Sequence, residues 1–283
     1  MSNLIEIHPS SLTEYADCPR RAAAKMLKKE LQESGYNLRE SNRVIGASVG
    51  TAVHTGAQYT LDYKIDTGTL APLKETQEKA IDMLSTGIAD GILWDDTSPN
   101  RNTAEKQTLR MVGEYMRGIA PSINPVRVEY KMTVNIAVGY VLKGTIDLMA
   151  AHPSALRDLK TGAKAKMHLP QIGAYHYMLR KHNYPVDLLA VDYLPRVSIT
   201  KAQPHAQYTE YDASLAEQSA ASTIRRFMSD HKEFERRKAA SQPLEFAFIA
   251  NPSSMLCGPK YCPAYNTNFC REHMPAKEKP YGE

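Results

Sequence analysis

The sequence predicts an α/β protein, a mixed sheet flanked by helices and preceded by an N-terminal helical region. Three observations predict it. Apolar residues recur at helical spacing through most of the chain up to Gly118. A stretch rich in Val, Ile, Tyr and Thr follows, "VRVEYKMTVNIAVGYVLKGTIDLMAAH", and reads as strands. After it, helix and strand patterns alternate, the order that packs helices on both faces of a sheet.

Taken in turn, "SSLTEYADCPRRAAAKMLKKEL" is a helix opened by a capping box of Ser11 and Glu14, with a break at Pro19. "VIGASVGTAVHTGAQYTLD" (Val44 to Asp62) is a second helix carrying His54, and two more are expected at Leu73–Ala89 and Thr103–Gly118. "WDDTSPNRN" between them has loop composition. Two strands, Val126–Ala137 and Tyr140–Ala150, turn near Gly139, and "ALRDLKTG" is a short third strand. "LPQIGAYHYMLRKHN" is a helix that tolerates Pro170 in its first turn. "VDLLAVDYLPR" is a buried strand, and Asp212 opens a long amphipathic helix. The whole is expected to be one domain, 1–283, with cysteine-bearing ends at 1–33 and 250–283, a helical region at 34–122 and an α/β core at 123–249.

Composition sets wide bounds. The 283 residues suffice for a large core; 42% are hydrophobic and 23% charged, as in ordinary globular proteins. A net charge of +4 is too small to identify a nucleic-acid partner by itself. "MSNLIEIHPS" lacks the basic and apolar regions of a secretory signal, and no apolar run is long enough to span a bilayer, so a cytoplasmic location in a bacterial or virus-infected cell is expected, with no membrane partner.

Chemistry concentrates in "GTIDLMAAHPSALRDLKTG", where Asp147 and Asp158 would lie on adjacent strands. Two bare carboxylates in contact repel by about 4 kcal/mol at an effective dielectric of about 20. A shared proton or a divalent cation relieves that repulsion, and carboxylate oxygens suit Mg²⁺ or Mn²⁺. Asp158 and Lys160 are two apart on a strand and share a face, which puts an ammonium beside the acids. A solvated hairpin with an Asp158–Lys160 ion pair is the competing reading.

Five ordered segments carry a resemblance. "SSLTEYADCPRR", "GTAVH", "GTID", "DLKTG" and "QIGAY" resemble the motifs S-x-L-x-x-Y-x-x-C-P, G-x-x-x-H, G-x-x-D, D-x-K-T-G and Q-x-x-x-Y of the RecB-like branch of the PD-(D/E)XK nuclease superfamily. The resemblance implies a restriction-endonuclease-like core and a metal-dependent DNA exonuclease. His54, Asp147, Asp158 and the main-chain carbonyl of Leu159 would ligate the metal, with Glu129 as a further candidate. Lys160 would be the catalytic lysine, and Gln171 and Tyr175, at i and i+4 on one helix face, would complete the catalytic set. Each has a plainer alternative: His54 as a core histidine, Gln171 and Tyr175 as a polar helix edge, Glu129 as a cross-strand partner of Lys143 or Lys131.

Of four cysteines, Cys18 stands near the N-terminus while Cys257, Cys262 and Cys270 cluster near the C-terminus. In a reducing compartment, disulfides explain them poorly. Either the clustered three and His273 hold Zn²⁺, or Cys18 joins them around a 4Fe–4S cluster. The one-before, three-after order is similar to that of iron–sulfur AddB-type nucleases and CRISPR-adaptation exonucleases, although the gaps here are wider.

The expected substrate is DNA, single-stranded or with free ends, in end processing, recombination or CRISPR-type adaptation. No helicase P-loop is present, so the protein reads either as a stand-alone nuclease or as the nuclease partner of something else, such as a helicase, recombination or integrase protein, with an oligomer also open. Arg225, Arg226, Arg236 and Arg237 form a basic stretch that could track DNA, or a solvated helix face. The rival function is a non-cleaving DNA-binding or adaptor module with a structural zinc site.

Overall fold

The computed structural model describes residues 4–40 and 43–271. The chain divides into two compact units, one of residues 1–9 and 42–220, the other of 10–41 and 221–283.

The larger unit is built on a six-stranded mixed sheet. Its strands are β1 (Ile5–Ile7), β2 (Asn124–Ala137), β3 (Tyr140–Ala151), β4 (Ala155–Gly162), β5 (Leu188–Pro195) and β6 (Gln207–Tyr211). β2 and β3 form the long hairpin, and Gly139 turns it with φ of +82°, a conformation glycine adopts without strain. β4 returns antiparallel to β3, and β5 lies parallel to β4. Two edge strands add to the expected four. β6 is exposed at nearly every position and β1 has three residues, so neither carries a two-residue apolar rhythm.

Before the hairpin come three helices, α4 (Ile45–Thr67), α5 (Leu73–Ala89) and α6 (Arg101–Gly118). Their Val49, Val53, Leu84, Met111 and Val112 pack with Leu148, Leu159 and Leu194 of the sheet into one core. Between β4 and β5 runs α7 (Leu169–Lys181), with Pro170 in its first turn and Ile172, Ala174 and Met178 fully buried. Gly173 allows the closest approach in this unit. A Cβ there would lie 1.9 Å from the carbonyl oxygen of Ala216 in α8 (Ala213–Ala239), which Asp212 caps by accepting the N–H of Leu215.

The smaller unit gathers both ends of the chain. The expected helical stretch is α1 (Pro9–Asp17), α2 (Pro19–Met26), which starts at the proline where a break or a second helix start is expected, and α3 (Lys28–Glu33). α1 starts at Pro9, so Ser11 lies inside it and the expected capping box does not form. Glu14 instead pairs with Arg21 at 2.8 Å and Lys25 at 2.7 Å. Tyr15 packs edge-to-face on Phe227 and donates to Asp230 at 2.6 Å.

Candidate active site

β3 carries two neighbours on one edge. β1 pairs with its residues Tyr140–Leu142, and β4 with its residues Leu148–Ala150. Past the Leu148↔Arg157 pair, β3 and β4 part. Continuing the register across that gap would set Asp147 opposite Asp158. The Leu159 N–H, with no β3 carbonyl to meet, donates to Asp147 Oδ2 at 2.9 Å. The site therefore forms where a strand pair opens, and the acids stand in for backbone partners.

α4 is held against β4 by glycine. A Cβ on Gly50 would lie 2.7 Å from Thr161 Oγ1, so the first residue of G-x-x-x-H packs on the threonine of D-x-K-T-G. One turn later, His54 Nδ1 reaches 3.5 Å from Asp147 Oδ2. Similarly, a Cβ on Gly144 would crowd the Tyr175 ring at 2.9 Å. The glycines of the motifs thus set distances between motifs.

Glu129 lies on β2 with φ of +48°, the left-handed region, which costs a non-glycine residue about 1–3 kcal/mol. This turn of the backbone brings its carboxylate to the site. Ligand atoms of His54, Glu129 and Asp147 lie within 4.8 Å of one another. They border a cleft of about 20 Å³, room for one water or ion, closed by Leu61, Tyr115, Val128, Leu148 and Leu159.

Asp158 is beside this trio rather than in it. Its side chain is 2% exposed; Oδ1 accepts from Gln171 Nε2 at 3.1 Å and Oδ2 pairs with Lys160 Nζ at 2.7 Å. Oδ2 is buried and has no partner with hydrogen-bond geometry. The expectation that both acids face one ion thus divides into a His–Glu–Asp trio and a buried Asp–Lys–Gln group. The charges couple the two groups. Burial, then the charge of Asp158, pushes Asp147 up to about 6, against the pull of His54 and Lys160. Burial also raises Glu129. Burial alone would lower Lys160, but Asp158 and Asp147 outweigh it and hold the ammonium above its usual value. The Tyr175 phenol is raised by burial and by the same two acids.

These groups fit a divalent cation. The donors are hard oxygens and one imidazole, and the trio opens on an ion-sized cleft.

A family model for the PD-(D/E)XK nuclease superfamily matches residues 6–267. The chain belongs to that superfamily. None of the curated proteins matches this nuclease. Among solved structures, one from Eubacterium rectale, provisionally named an exonuclease, superposes with a TM-score of 0.55 at 11% identity, covering 89% of this chain and 87% of its own. That likeness concerns the fold. SSO0001 and LHK-Exo in complex with dAMP match at 17% and 12% identity, over 70% and 67% of this nuclease and 82% and 96% of their own chains. Their TM-scores, 0.28 and 0.26, carry no argument.

Sequence reasoning missed His168 and the Arg157–Asp192 pair. His168, at the N-cap of α7, is half-buried, and burial together with the nearby Lys160 pushes it down to about 4, so it stays neutral at pH 7. Arg157 clasps Asp192 through two bonds of 2.9 and 2.5 Å at the base of the cleft. A lone histidine before a helix and an Arg–Asp pair split between strands leave no motif; only packing reveals them.

In the smaller unit Cys18, Cys262 and Cys270 are buried, Cys257 is half-buried, and all four are free thiols. Burial raises Cys262 to about 11, and the charges of the other three cysteines contribute, so the four share one neighbourhood. Asn251 donates its backbone N–H to Cys18 Sγ, and Arg20 its guanidinium to Cys270 Sγ. Among the described residues no three sulfurs lie within 4.8 Å of one another. His273 lies outside the described residues. Of the α8 arginines, Arg226 pairs with Asp230 and both Arg236 and Arg237 share Glu233, while Arg225 donates to Ser222. Among the described residues, no helix is long and apolar enough to cross a membrane.

The raised Asp147 makes a testable statement about the metal-free protein. Unfolded, this carboxyl ionises near 3.8; folded, near 6. Between these values the folded state keeps a proton that the unfolded state releases, so the group's contribution to stability falls as pH rises from about 4 to 6. Without metal, Asp147→Asn is expected to melt a few degrees above wild type at pH 7, with the gap closing at pH 4. A gap independent of pH contradicts the assignment.

Proposed function

We propose that this nuclease is a metal-dependent deoxyribonuclease of the RecB-like branch, an exonuclease that works on single-stranded or end-opened DNA. The observation that carries the reading is the His54–Glu129–Asp147 trio around an ion-sized cleft, beside the buried Asp158–Lys160 pair. His54, Glu129 and Asp147 would hold Mg²⁺ or Mn²⁺, with Asp158 Oδ2 and the Leu159 carbonyl as further oxygens at hand. A cation there supplies Lewis acidity at the phosphate and lowers the pKa of water. Lys160 offsets negative charge growing on phosphate oxygens. Gln171 holds Asp158 in place, and Tyr175 stays protonated as a hydrogen-bond donor to the substrate.

The test uses linear and circular single-stranded DNA of the same sequence. The linear form is expected to be degraded with Mn²⁺ or Mg²⁺ and spared with EDTA, while the circle survives. Cutting of the circle would replace exonuclease by endonuclease action, and inertness of both would remove the DNase reading in favour of a non-cleaving DNA-binding or adaptor module.

The four cysteines are proposed to hold a 4Fe–4S cluster that joins the two chain ends. What supports it is the one-before, three-after order of the cysteines, their shared neighbourhood, and the donors to Cys18 and Cys270, which suit a charged cluster. Protein purified without oxygen is expected to be brown, with broad visible absorbance that Cys262→Ala abolishes. A colourless, zinc-containing protein contradicts this. Reduced thiols fit a cytoplasmic setting, in DNA end processing, recombination or CRISPR-type adaptation, with a helicase or integrase partner.

A further inference from the structure

On β2, next to the metal trio, lies an aromatic–cation cluster that the proposed chemistry does not use. The Arg127 guanidinium is 4.6 Å from the centre of the Tyr130 ring and 5.8 Å from that of Tyr184. The two rings meet edge-to-face at 6.2 Å. Tyr130 directly follows Glu129, and its cross-strand partner Ile146 directly precedes Asp147. Consecutive Cα atoms are about 3.8 Å apart, so the cluster begins one residue from the trio.

The Tyr130–Tyr184 contact alone would pin the loop after α7 to β2. Arg127 adds something that pinning does not need. It is exposed and, among the described residues, has no carboxylate partner. Arg157, Arg180 and Arg196 of the same unit each clasp an acid. Beside Tyr184 a cavity of about 390 Å³ opens, bordered by Val126, His152 and Asp187, so a flat ring laid on the tyrosine has room. Half-buried tyrosine rings beside an exposed cation that has no carboxylate partner, on the strand that carries Glu129, are of the kind with which proteins grip single-stranded nucleic acid without reading its sequence: bases stack and the cation meets the backbone.

We infer that Arg127, Tyr130 and Tyr184 form a stacking platform for a nucleobase of the single strand next to the phosphate being cleaved. The inference rests on the DNA-nuclease reading above and adds where the strand is held.

The test measures binding separately from chemistry. A fluorescein-labelled oligothymidylate is titrated into the full-length protein in EDTA, over a range of salt. Mn²⁺ binding to the DNA-free protein is followed by calorimetry. Tyr184→Ala is expected to raise Kd for the oligonucleotide about tenfold. Arg127→Ala is expected to weaken binding and lower the salt slope by about one. Tyr184→Phe keeps the ring and is expected to bind like wild type, which guards against a folding defect. Mn²⁺ affinity and the far-ultraviolet circular dichroism spectrum are expected to stay unchanged in all three. If wild type binds and cuts DNA and the Ala variants bind it within twofold of wild type, the platform is overturned while the function stands. If wild type neither binds nor cuts DNA, both are overturned.

Discussion

Asp158→Asn is expected to lower kcat on single-stranded DNA by about 10³-fold while leaving the fold in place. The residue is almost fully buried, and its two oxygens divide between Gln171 and Lys160. An asparagine keeps the shape and a carbonyl oxygen. It loses the charge that adds to the cation site and holds Lys160 protonated. Removing one preorganised electrostatic partner of a developing oxyanion commonly costs about 10²–10³-fold. Here a single substitution weakens two, the cation site and the ammonium, so the upper end is expected. Lys160→Met should lose less, because it removes the ammonium alone. Single-turnover cleavage of labelled DNA reads both, with circular dichroism confirming the fold. An Asp158→Asn variant within tenfold of wild type would detach this residue from the chemistry.

Gly173→Ala is expected to destabilise the protein by about 3 kcal/mol or more. In an exposed helix, Ala would be favoured over Gly by about 1 kcal/mol. At position 173 the new Cβ would meet the Ala216 carbonyl oxygen at 1.9 Å and its carbon at 2.2 Å. Both atoms are backbone, so no rotamer change relieves the overlap. α7 or the start of α8 must move, a cost at or above the usual range for overpacking. Because α7 also carries Gln171 and Tyr175, activity should fall with stability. Gly113→Ala is the internal control: nothing lies within 4 Å of a Cβ there, and it sits inside α6. It should stabilise by about 1 kcal/mol. Thermal unfolding of the pair should move in opposite directions, and a Gly173→Ala protein as stable as wild type would mean that the helices do not approach this closely.

The sequence made the long elements legible for a physical reason. β3, β4, α7 and α4 bury one face or both, so their periodicity is strong, and the motif residues His54, Asp147, Asp158, Lys160, Gln171 and Tyr175 ride on them at fixed spacing. β6 and β1 escaped because an exposed or three-residue edge strand leaves no such rhythm. Ser11 misled because a capping box can be written inside a helix that Pro9 already starts. The roles within the site depend on backbone geometry that residue spacing does not encode. The positive φ of Glu129 moves a loosely expected residue into the trio, and the parting of β3 and β4 turns Asp158 toward Lys160.

The central claim is that a divalent cation sits among His54, Glu129 and Asp147. Crystals soaked in Mn²⁺ and measured at the manganese absorption edge test it most directly. The account predicts an anomalous peak bounded by these three side chains, with Asp158 beside it. A site that stays without a peak at saturating Mn²⁺, or a peak ligated by other residues, would contradict it.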